Sequence, residues 1–211
     1  LKTEIMQKFF SHGSDGTAFQ GNIKLWVRLL LPGVIKRVYN LQSKQLIKIF
    51  SRIFKAEEEK MLEDLEKGDV AETIANFFED THAINKTTKS KLTIYDVDEF
   101  LSKLTSMTKE DEQAHALRDM SKTCTVNDLK MLIRLIKGDL RMNAGCKHVL
   151  DALHKDAYEA FNSSRNIEAV INQILNLRKS HNLKGSLDVG ATVGQPVQPM
   201  LAMPCKSIEI A

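Results

Sequence analysis

Three basic residues lie close together around a glycine, in a short turn between two apolar helical patterns. They are Lys137, Arg141 and Lys147, and the glycine is Gly138. Lysine and arginine side chains, together with free amide groups at a helix start, bind the oxygen atoms of phosphate groups. The spacing therefore predicts a phosphate-binding corner. A helix-turn-helix corner whose basic residues are only solvated is the alternative, and this stretch by itself leaves it open.

Two predicted helices position this corner. Asn143 is expected to cap the second helix, which places Lys147 in or near its first turn. A cation is unfavourable there because the helix dipole is positive at that end, and a bound anion would offset the cost. Apolar residues repeat at helical spacing on both sides of the turn, namely Leu129, Leu132, Ile133 and Ile136 before it and Val149, Leu150 and Leu153 after it.

A second copy of this pattern lies earlier in the chain. Residues 22–28 match residues 128–134 in residue type at every position. After a gap, five further positions match, namely Asn40, Lys44, Leu46, Ile47 and Phe50 with Asn143, Lys147, Val149, Leu150 and Leu153. Internal repeats of this kind define an architecture. The sequence therefore predicts an all-α fold that contains two related helix-turn-helix units.

The earlier copy has a basic corner of its own, in which Lys44 corresponds to Lys147. Two such corners suit a two-lobed module that straddles a phosphate backbone. Both corners offer backbone and small residues, which favours recognition of shape across a minor groove with little reading of bases. The residues of the earlier corner are Pro32, Gly33, Lys36, Arg37, Asn40 and Lys44.

Charge is unevenly distributed along the chain. The formal net charge is only +3 over 211 residues, but residues 22–55 contain no aspartate or glutamate, whereas residues 57–80 are rich in both. A polyanion should bind the first of these segments and avoid the second. The spacing predicts a stripe of positive charge on one helix face, formed by Lys44, Lys48, Arg52 and Lys55. The alternative interpretation is an ordinary solvated polar face.

Metal and catalytic sites are not predicted. The cysteines are odd in number and widely spaced, which argues against a disulfide framework and against paired zinc ligands. No two histidines share a helix face beside a carboxylate. Trp26 and Tyr39 are interpreted as core residues, and Cys146 as a small filler. No apolar run approaches the roughly 18 residues that a membrane helix needs, so no membrane partner is expected.

The composition and the periodicity of the sequence change at Asn182. Glycine and proline become frequent and the helical period is lost. The sequence predicts a helical domain over residues 1–181. Over residues 182–211 it predicts an extended C-terminal linker that ends in the first strand of a further domain.

Five stretches of the chain carry recognisable motifs. They are LLLPGVIKRVYNLQSKQL, LEKGDVAETIANFFED, LTIYDVDEFLSKLTSMTKEDEQ, DLKMLIRLIKGDLRMNAGCKHVLDAL and QPVQPMLA. Together they resemble the DNA-binding domain of ATP-dependent DNA ligases of the eukaryotic ligase III type and their poxvirus relatives. GDLRMN and PMLA resemble motifs of ATP-dependent ligases in general, and LLPG and VYN resemble the ligase III branch. The resemblance extends from about Ile23 almost to the end of the chain.

The resemblance implies an all-α domain of two pseudo-symmetric helical halves that packs on the minor groove on both sides of a nick in double-stranded DNA. Such a domain belongs to a protein of DNA repair, replication and recombination. Related ligases often have a glycine at the position of Asn143. Asparagine tolerates positive φ nearly as well, so the turn is expected to survive. With the basic residues above, the implied DNA-binding residues are Pro32, Gly33, Lys36, Arg37, Asn40, Lys44, Lys137, Gly138, Asp139, Leu140, Arg141, Met142, Asn143 and Lys147.

The resemblance also implies chemistry that lies outside this sequence. Ligases of this kind transfer AMP from ATP, with Mg²⁺, to a lysine and then to the 5′-phosphate before the 3′-hydroxyl seals the nick. The lysine-x-aspartate-glycine motif of that lysine is absent here. The chain is therefore expected to have no catalytic residue, cofactor or metal of its own. It should need an adenylation domain, to which PMLA would lead, and act in the nucleus, with mitochondria as a second location. The alternative function is a helical protein-interaction module that binds an acidic partner.

Overall fold

The structure is a computed structural model, and it describes residues 1–84, 87–180 and 185–187. Eleven α-helices and no β-strand occur in this part of the chain, which confirms the all-α prediction. No helix among them has the length and apolar character that crossing a membrane requires. The helices are α1 (Lys2–His12), α2 (Ile23–Leu30), α3 (Ser43–Phe54), α4 (Glu58–Leu65), α5 (Val70–Asp80), α6 (Ile94–Ser106), α7 (Glu110–Ser121), α8 (Val126–Lys137), α9 (Cys146–Leu153), α10 (Ala157–Ser164) and α11 (Ile167–Lys179).

Short polar motifs set the ends of these helices. At the start of α8 the Thr125 hydroxyl accepts the Asp128 N–H at 3.2 Å, and the Asp128 carboxylate accepts the Thr125 N–H at 3.0 Å. This capping box satisfies amide groups that would otherwise lack partners. The same box forms between Thr93 and Asp96 before α6, as their spacing predicts. α8 ends at Gly138, whose φ of 71° lies in the left-handed region that favours glycine.

A unit of five helices occurs twice, first as α1–α5 and again as α7–α11, with α6 between them. In each unit the third helix contacts the fourth, and the fourth contacts the fifth. The first two helices of a unit pack elsewhere. α1 and α2 contact α9 and α11, whereas α7 and α8 contact α3 and α5. The two pseudo-symmetric halves are therefore confirmed. The first two helices of each half pack against the last three helices of the other half.

This exchange produces two lobes, each with its own hydrophobic core. The first lobe contains α3, α4, α5, α7 and α8 together with the connecting helix α6, whose Leu101 and Leu104 are buried in its core, and the second contains α1, α2, α9, α10 and α11. A fully buried leucine or isoleucine stabilises the fold by about 1.5–3 kcal/mol. α8 contributes Leu129, Leu132, Ile133 and Ile136 to the first core, and α2 contributes Ile23 and Val27 to the second, with Leu31 just beyond its end.

α2 contributes side chains to both cores because it has apolar residues on two different faces. Leu25 and Leu29 join the first core, where α2 also contacts α6.

The predicted domain boundary at residues 181 and 182 lies outside the described residues. So does nearly all of the predicted linker and strand. Leu187 is described, and it packs against the second core.

Candidate nucleic-acid interface

Two corners of the chain lie side by side on the surface. The first corner (residues 31–42) joins α2 to α3, and the second corner (residues 138–145) joins α8 to α9. Residues 31–34 of the first corner and the whole second corner line one cleft of about 380 Å³. The fold therefore brings together the two segments that the internal repeat singles out.

Corresponding asparagines give the two corners a matching backbone. Asn40 has a φ of 53° and Asn143 a φ of 50°, both in the left-handed region. Each lies three residues before the next helix, which begins at Ser43 in one case and at Cys146 in the other. The expectation that the turn survives with asparagine is confirmed. The prediction that Asn143 caps α9 is wrong, because Gly145 occupies the N-cap position.

Two glycines leave open space at the corners. A Cβ atom added at Gly33 or Gly138 would meet nothing within 4 Å. Gly138 adopts a φ of 71°, so its conformation alone favours glycine. Gly33 lies outside the left-handed region, and neither packing nor conformation in the described chain requires glycine there. Both positions allow another molecule to approach the backbone closely.

Four lysines supply positive charge at the corners. Lys36, Lys44 and Lys147 are exposed and Lys137 is partly exposed. In the part of the chain that the structure describes, none of the four forms an ion pair with a carboxylate. Lys44 and Lys147 are each the second residue of their helix, as predicted for Lys147. Their charge is therefore available to a polyanion.

The guanidinium group of Arg37 is occupied inside the protein. Arg37 forms an ion pair with Asp98 of α6, and only 16% of its side chain is exposed. Asp98 also pairs with Arg28, whose Nη1 lies 3.3 Å from its Oδ2. A planar guanidinium suits such a fixed contact better than an ammonium group does. Arg37 thus attaches the first corner to α6 and offers little of its surface to a ligand.

Arg141 makes a similar internal contact in the second corner. Its Nη2 donates a hydrogen bond to the Gly68 carbonyl at 2.7 Å, and its Nε lies 3.7 Å from the carboxylates of Asp69 and Asp139. Asp69 also accepts a hydrogen bond from Arg134 at 2.9 Å. The Arg141 side chain nevertheless remains 48% exposed. The second corner is therefore tied to the turn between α4 and α5.

The pKa of Asp69 is consistent with its pairing with two arginines. Burial raises the pKa of its carboxyl group, but the hydrogen bonds from Arg134 and the Ala71 N–H, with the charges of Arg134 and Arg141, lower the pKa by more. The net result is a pKa below the ordinary range. Asp69 is consequently charged at neutral pH and can hold both arginines.

The predicted positive stripe on α3 is only partly free. Lys48 and Arg52 both pair with Glu110, the first residue of α7, at 3.1 Å and 3.3 Å. Among the described residues, Lys44 and Lys55 at the two ends of the stripe have no carboxylate partner. Sequence reasoning missed this neutralisation because Glu110 is distant in the chain and reaches α3 only through the packing of α7.

The remaining residues of the second corner have different environments. Leu140 is buried, whereas Met142 and Asp139 are exposed. The Asp139 carboxylate accepts the Arg141 N–H at 3.0 Å. The Asn143 carbonyl accepts a hydrogen bond from the ammonium group of Lys2 at 2.6 Å. No sequence signal pointed to Lys2, which lies before the repeat and before the stretches that carry the resemblance.

Core positions are confirmed for the residues interpreted as packing groups. Trp26 packs edge-to-face on Phe9 with ring centroids 4.9 Å apart, and Tyr39 is buried. Burial raises the pKa of the Cys146 thiol to about 11, so the thiol stays protonated and unreactive at neutral pH. Within the described ranges no group of three or more His, Cys, Asp or Glu residues could hold a metal ion.

The fold and this surface define a helical module with two adjacent basic corners, a class of protein suited to a phosphate backbone. Comparison with known families makes the assignment specific. The chain belongs to the DNA ligase N terminus family, whose model matches residues 1–154.

Individual relatives agree with this family. The DNA ligase of Vaccinia virus (strain Copenhagen) is 42% identical over 188 residues, which cover 89% of this chain and 33% of the viral protein. The DNA ligase of Fowlpox virus (strain NVSL) is 39% identical over 212 aligned positions, which cover 100% of this chain and 36% of the relative. DNA ligase 3 of Dictyostelium discoideum is 34% identical over 82% of this chain and 14% of its own length. The chain thus spans about a third of the poxvirus relatives.

Proposed function

We propose that this chain is the DNA-binding domain of an ATP-dependent DNA ligase and that its two corners bind the minor groove on both sides of a single-strand nick. One observation carries the proposal. The repeat places two corners, each with an asparagine in the left-handed backbone conformation, beside one cleft, and each corner adds lysines without a carboxylate partner among the described residues. Family membership supplies the polyanion that such a surface fits.

Phosphate contacts are assigned to the lysines and close backbone contacts to the glycines. Lys36, Lys44, Lys137 and Lys147 form no ion pair with a carboxylate in the described part of the chain, whereas Arg37 and Arg141 are engaged by acidic residues. Lysine and backbone contacts to phosphates carry no base information, so binding should depend on DNA shape and on salt more than on sequence. Both corners line one cleft, so their lysines can contact one duplex together.

The chemical steps of ligation belong to a larger protein in this proposal. The described residues do not fit ATP or Mg²⁺, since the lysine-x-aspartate-glycine motif is absent and the described acidic residues form no metal-binding cluster. The domain holds DNA for an adenylation domain that uses ATP and Mg²⁺, and it is inactive in ligation by itself. The parent acts in DNA repair, replication and recombination, belongs to the ligase III branch, and works in the nucleus, with mitochondria as a second location.

Fluorescence anisotropy tests the proposal directly. The chain should bind a labelled duplex with one central nick more tightly than the intact duplex, and its affinity should fall steeply between 50 and 200 mM salt, since each phosphate contact contributes about 0.9 to the slope of log K against log salt. Weak binding without salt dependence would contradict the proposal. It would favour a protein-interaction module whose corners meet an acidic partner.

A further inference from the structure

Arg141 links the second corner to the turn between α4 and α5, and the residues at the corresponding places of the first corner could not form the same ion pair. Counting back from the matched Asn40 and Asn143, Val38 corresponds to Arg141, and Val38 is 68% exposed. The turn between α10 and α11 likewise has Asn166 where the turn between α4 and α5 has Asp69. Asp69 and Asn166 both cap their helices by accepting a backbone N–H at 3.0 Å. Both members of the Arg141–Asp69 pair are therefore specific to the second corner.

Arg141 occupies a backbone conformation that its surroundings must maintain. Its φ of 52° is left-handed, and a residue with a Cβ atom stays there only when neighbouring contacts fix it. The Asp139 carboxylate holds the Arg141 N–H, while the Gly68 carbonyl and Asp69 hold its guanidinium group. Loss of these contacts would allow the corner to relax and would displace the residues that follow.

We propose that Arg141 and Asp69 are positioning residues, which fix the second corner in the shape that binds DNA, and that Arg141 is not a phosphate contact. This inference rests on the proposed function. It assigns an acidic residue at the border of the interface a favourable effect on binding to a polyanion.

Charge alone predicts the opposite effect for Asp69. A carboxylate near the corner repels phosphate, so its removal should strengthen DNA binding if only the electrostatic field mattered. If Asp69 positions Arg141, its removal should weaken binding. The sign of the change therefore separates the two explanations.

Two variants and one control provide the test. Asp69→Asn keeps the size of the side chain, and asparagine remains a good N-cap for α5, so the helix should be preserved. Arg141→Ala removes the other partner without touching that cap. Glu72→Gln is the control, because Glu72 forms ion pairs with Lys130 and Arg134 in the same region, whereas Arg141 pairs with Asp69 and Asp139.

Affinity for nicked duplex should be measured at several salt concentrations for the 211-residue chain and its variants. Each of the two variants should bind on the order of three- to tenfold more weakly, the double variant should be no weaker than the weaker single one, and the control should lose nothing. The slope against salt should stay unchanged for Arg141→Ala.

Tighter binding by Asp69→Asn would overturn the inference, as would an equal loss in the Glu72→Gln control. A slope reduced by about 0.9 for Arg141→Ala would instead make that residue a phosphate contact. Absence of salt-dependent binding by the unsubstituted chain would overturn the proposed function itself. That result is visible before any variant is compared, so the two failures are distinguishable.

Discussion

Replacement of Lys44 and Lys147 by glutamine tests whether the two corners act as a pair. Both residues are exposed, both are second in their helices, and neither has a carboxylate partner among the described residues. A cation at a helix start is unfavourable by a few tenths of a kcal/mol, so the substitutions should not weaken the fold. Lys147 also lies 5.8 Å from the centroid of the Tyr158 ring, a contact of about 0.5–1 kcal/mol that roughly offsets this gain.

The expected magnitude follows from counterion release. Each lysine that meets a phosphate contributes about 0.9 to the slope of log K against log salt, so each single variant should lose about 0.9 and the double variant about 1.8. The factor by which affinity falls between 50 and 200 mM salt should be about 12 times smaller for the double variant than for the parent chain. Affinity at low salt should fall for intact and nicked duplexes of any sequence.

Anisotropy titrations at four or more salt concentrations give the slopes. Lys60→Gln is a matched control, because Lys60 is exposed on the acidic helix α4 and pairs with Glu57 at 3.0 Å. Its slope should match that of the parent chain. An unchanged slope in the Lys44 and Lys147 double variant would place both residues in solvent and refute the paired-corner reasoning. So would an equal change in the control.

Two further predictions concern the glycines and the acid limb of stability. Gly33→Ala should weaken nick binding without lowering the midpoint of thermal unfolding. Gly138→Ala should lower both the affinity and the midpoint, because positive φ costs a residue with a Cβ atom about 1–2 kcal/mol. Equal midpoints for the two variants would contradict this account. The pKa of Asp69 lies below its ordinary value, so its contribution to stability is complete above about pH 4 and disappears as pH falls through the lower folded value. Denaturant unfolding at pH 7 and pH 3 should therefore show a smaller loss for Asp69→Asn than for the parent chain, and identical losses would exclude the ion pair as a source of stability.

Local periodicity was sufficient for much of the fold. The apolar repeat of Leu129, Leu132 and Ile133 predicted α8, and the spacing of Thr93 and Asp96 predicted the start of α6. These features depend on residues within one or two turns of each other, so sequence reveals them directly. The correspondence of Asn40 with Asn143 also identified two residues that share a left-handed backbone.

Long-range contacts were not predictable in the same way. The repeat suggested two halves, but nothing in the local pattern showed that α2 and α8 pack in each other's lobes. The same limit applies to side-chain charge, since Asp98 and Asp69 engage Arg37 and Arg141 across more than sixty residues of chain. The basic residues of the two corners, which looked equivalent in sequence, thus divide into arginines held by acidic residues and lysines left at the surface.

One overlooked signal was present in the sequence. Lys67-Gly68-Asp69 repeats the tripeptide at residues 137–139, and both glycines have positive φ. Asp69 and Asp139 then approach Arg141 from the two turns. Comparison of these tripeptides would have indicated that the two turns are related, although not that they touch.

The exchange of helices between the two lobes gives the chain the connectivity of a domain-swapped dimer fused through α6. Neither unit contains a complete core, so a chain cut in half should not fold as two independent pieces. Both corners are the crossings at which the backbone passes from one lobe to the other. In the proposed function, the distance between the two DNA contacts is therefore set by the packing of the two interlocked cores and not by the length of a linker.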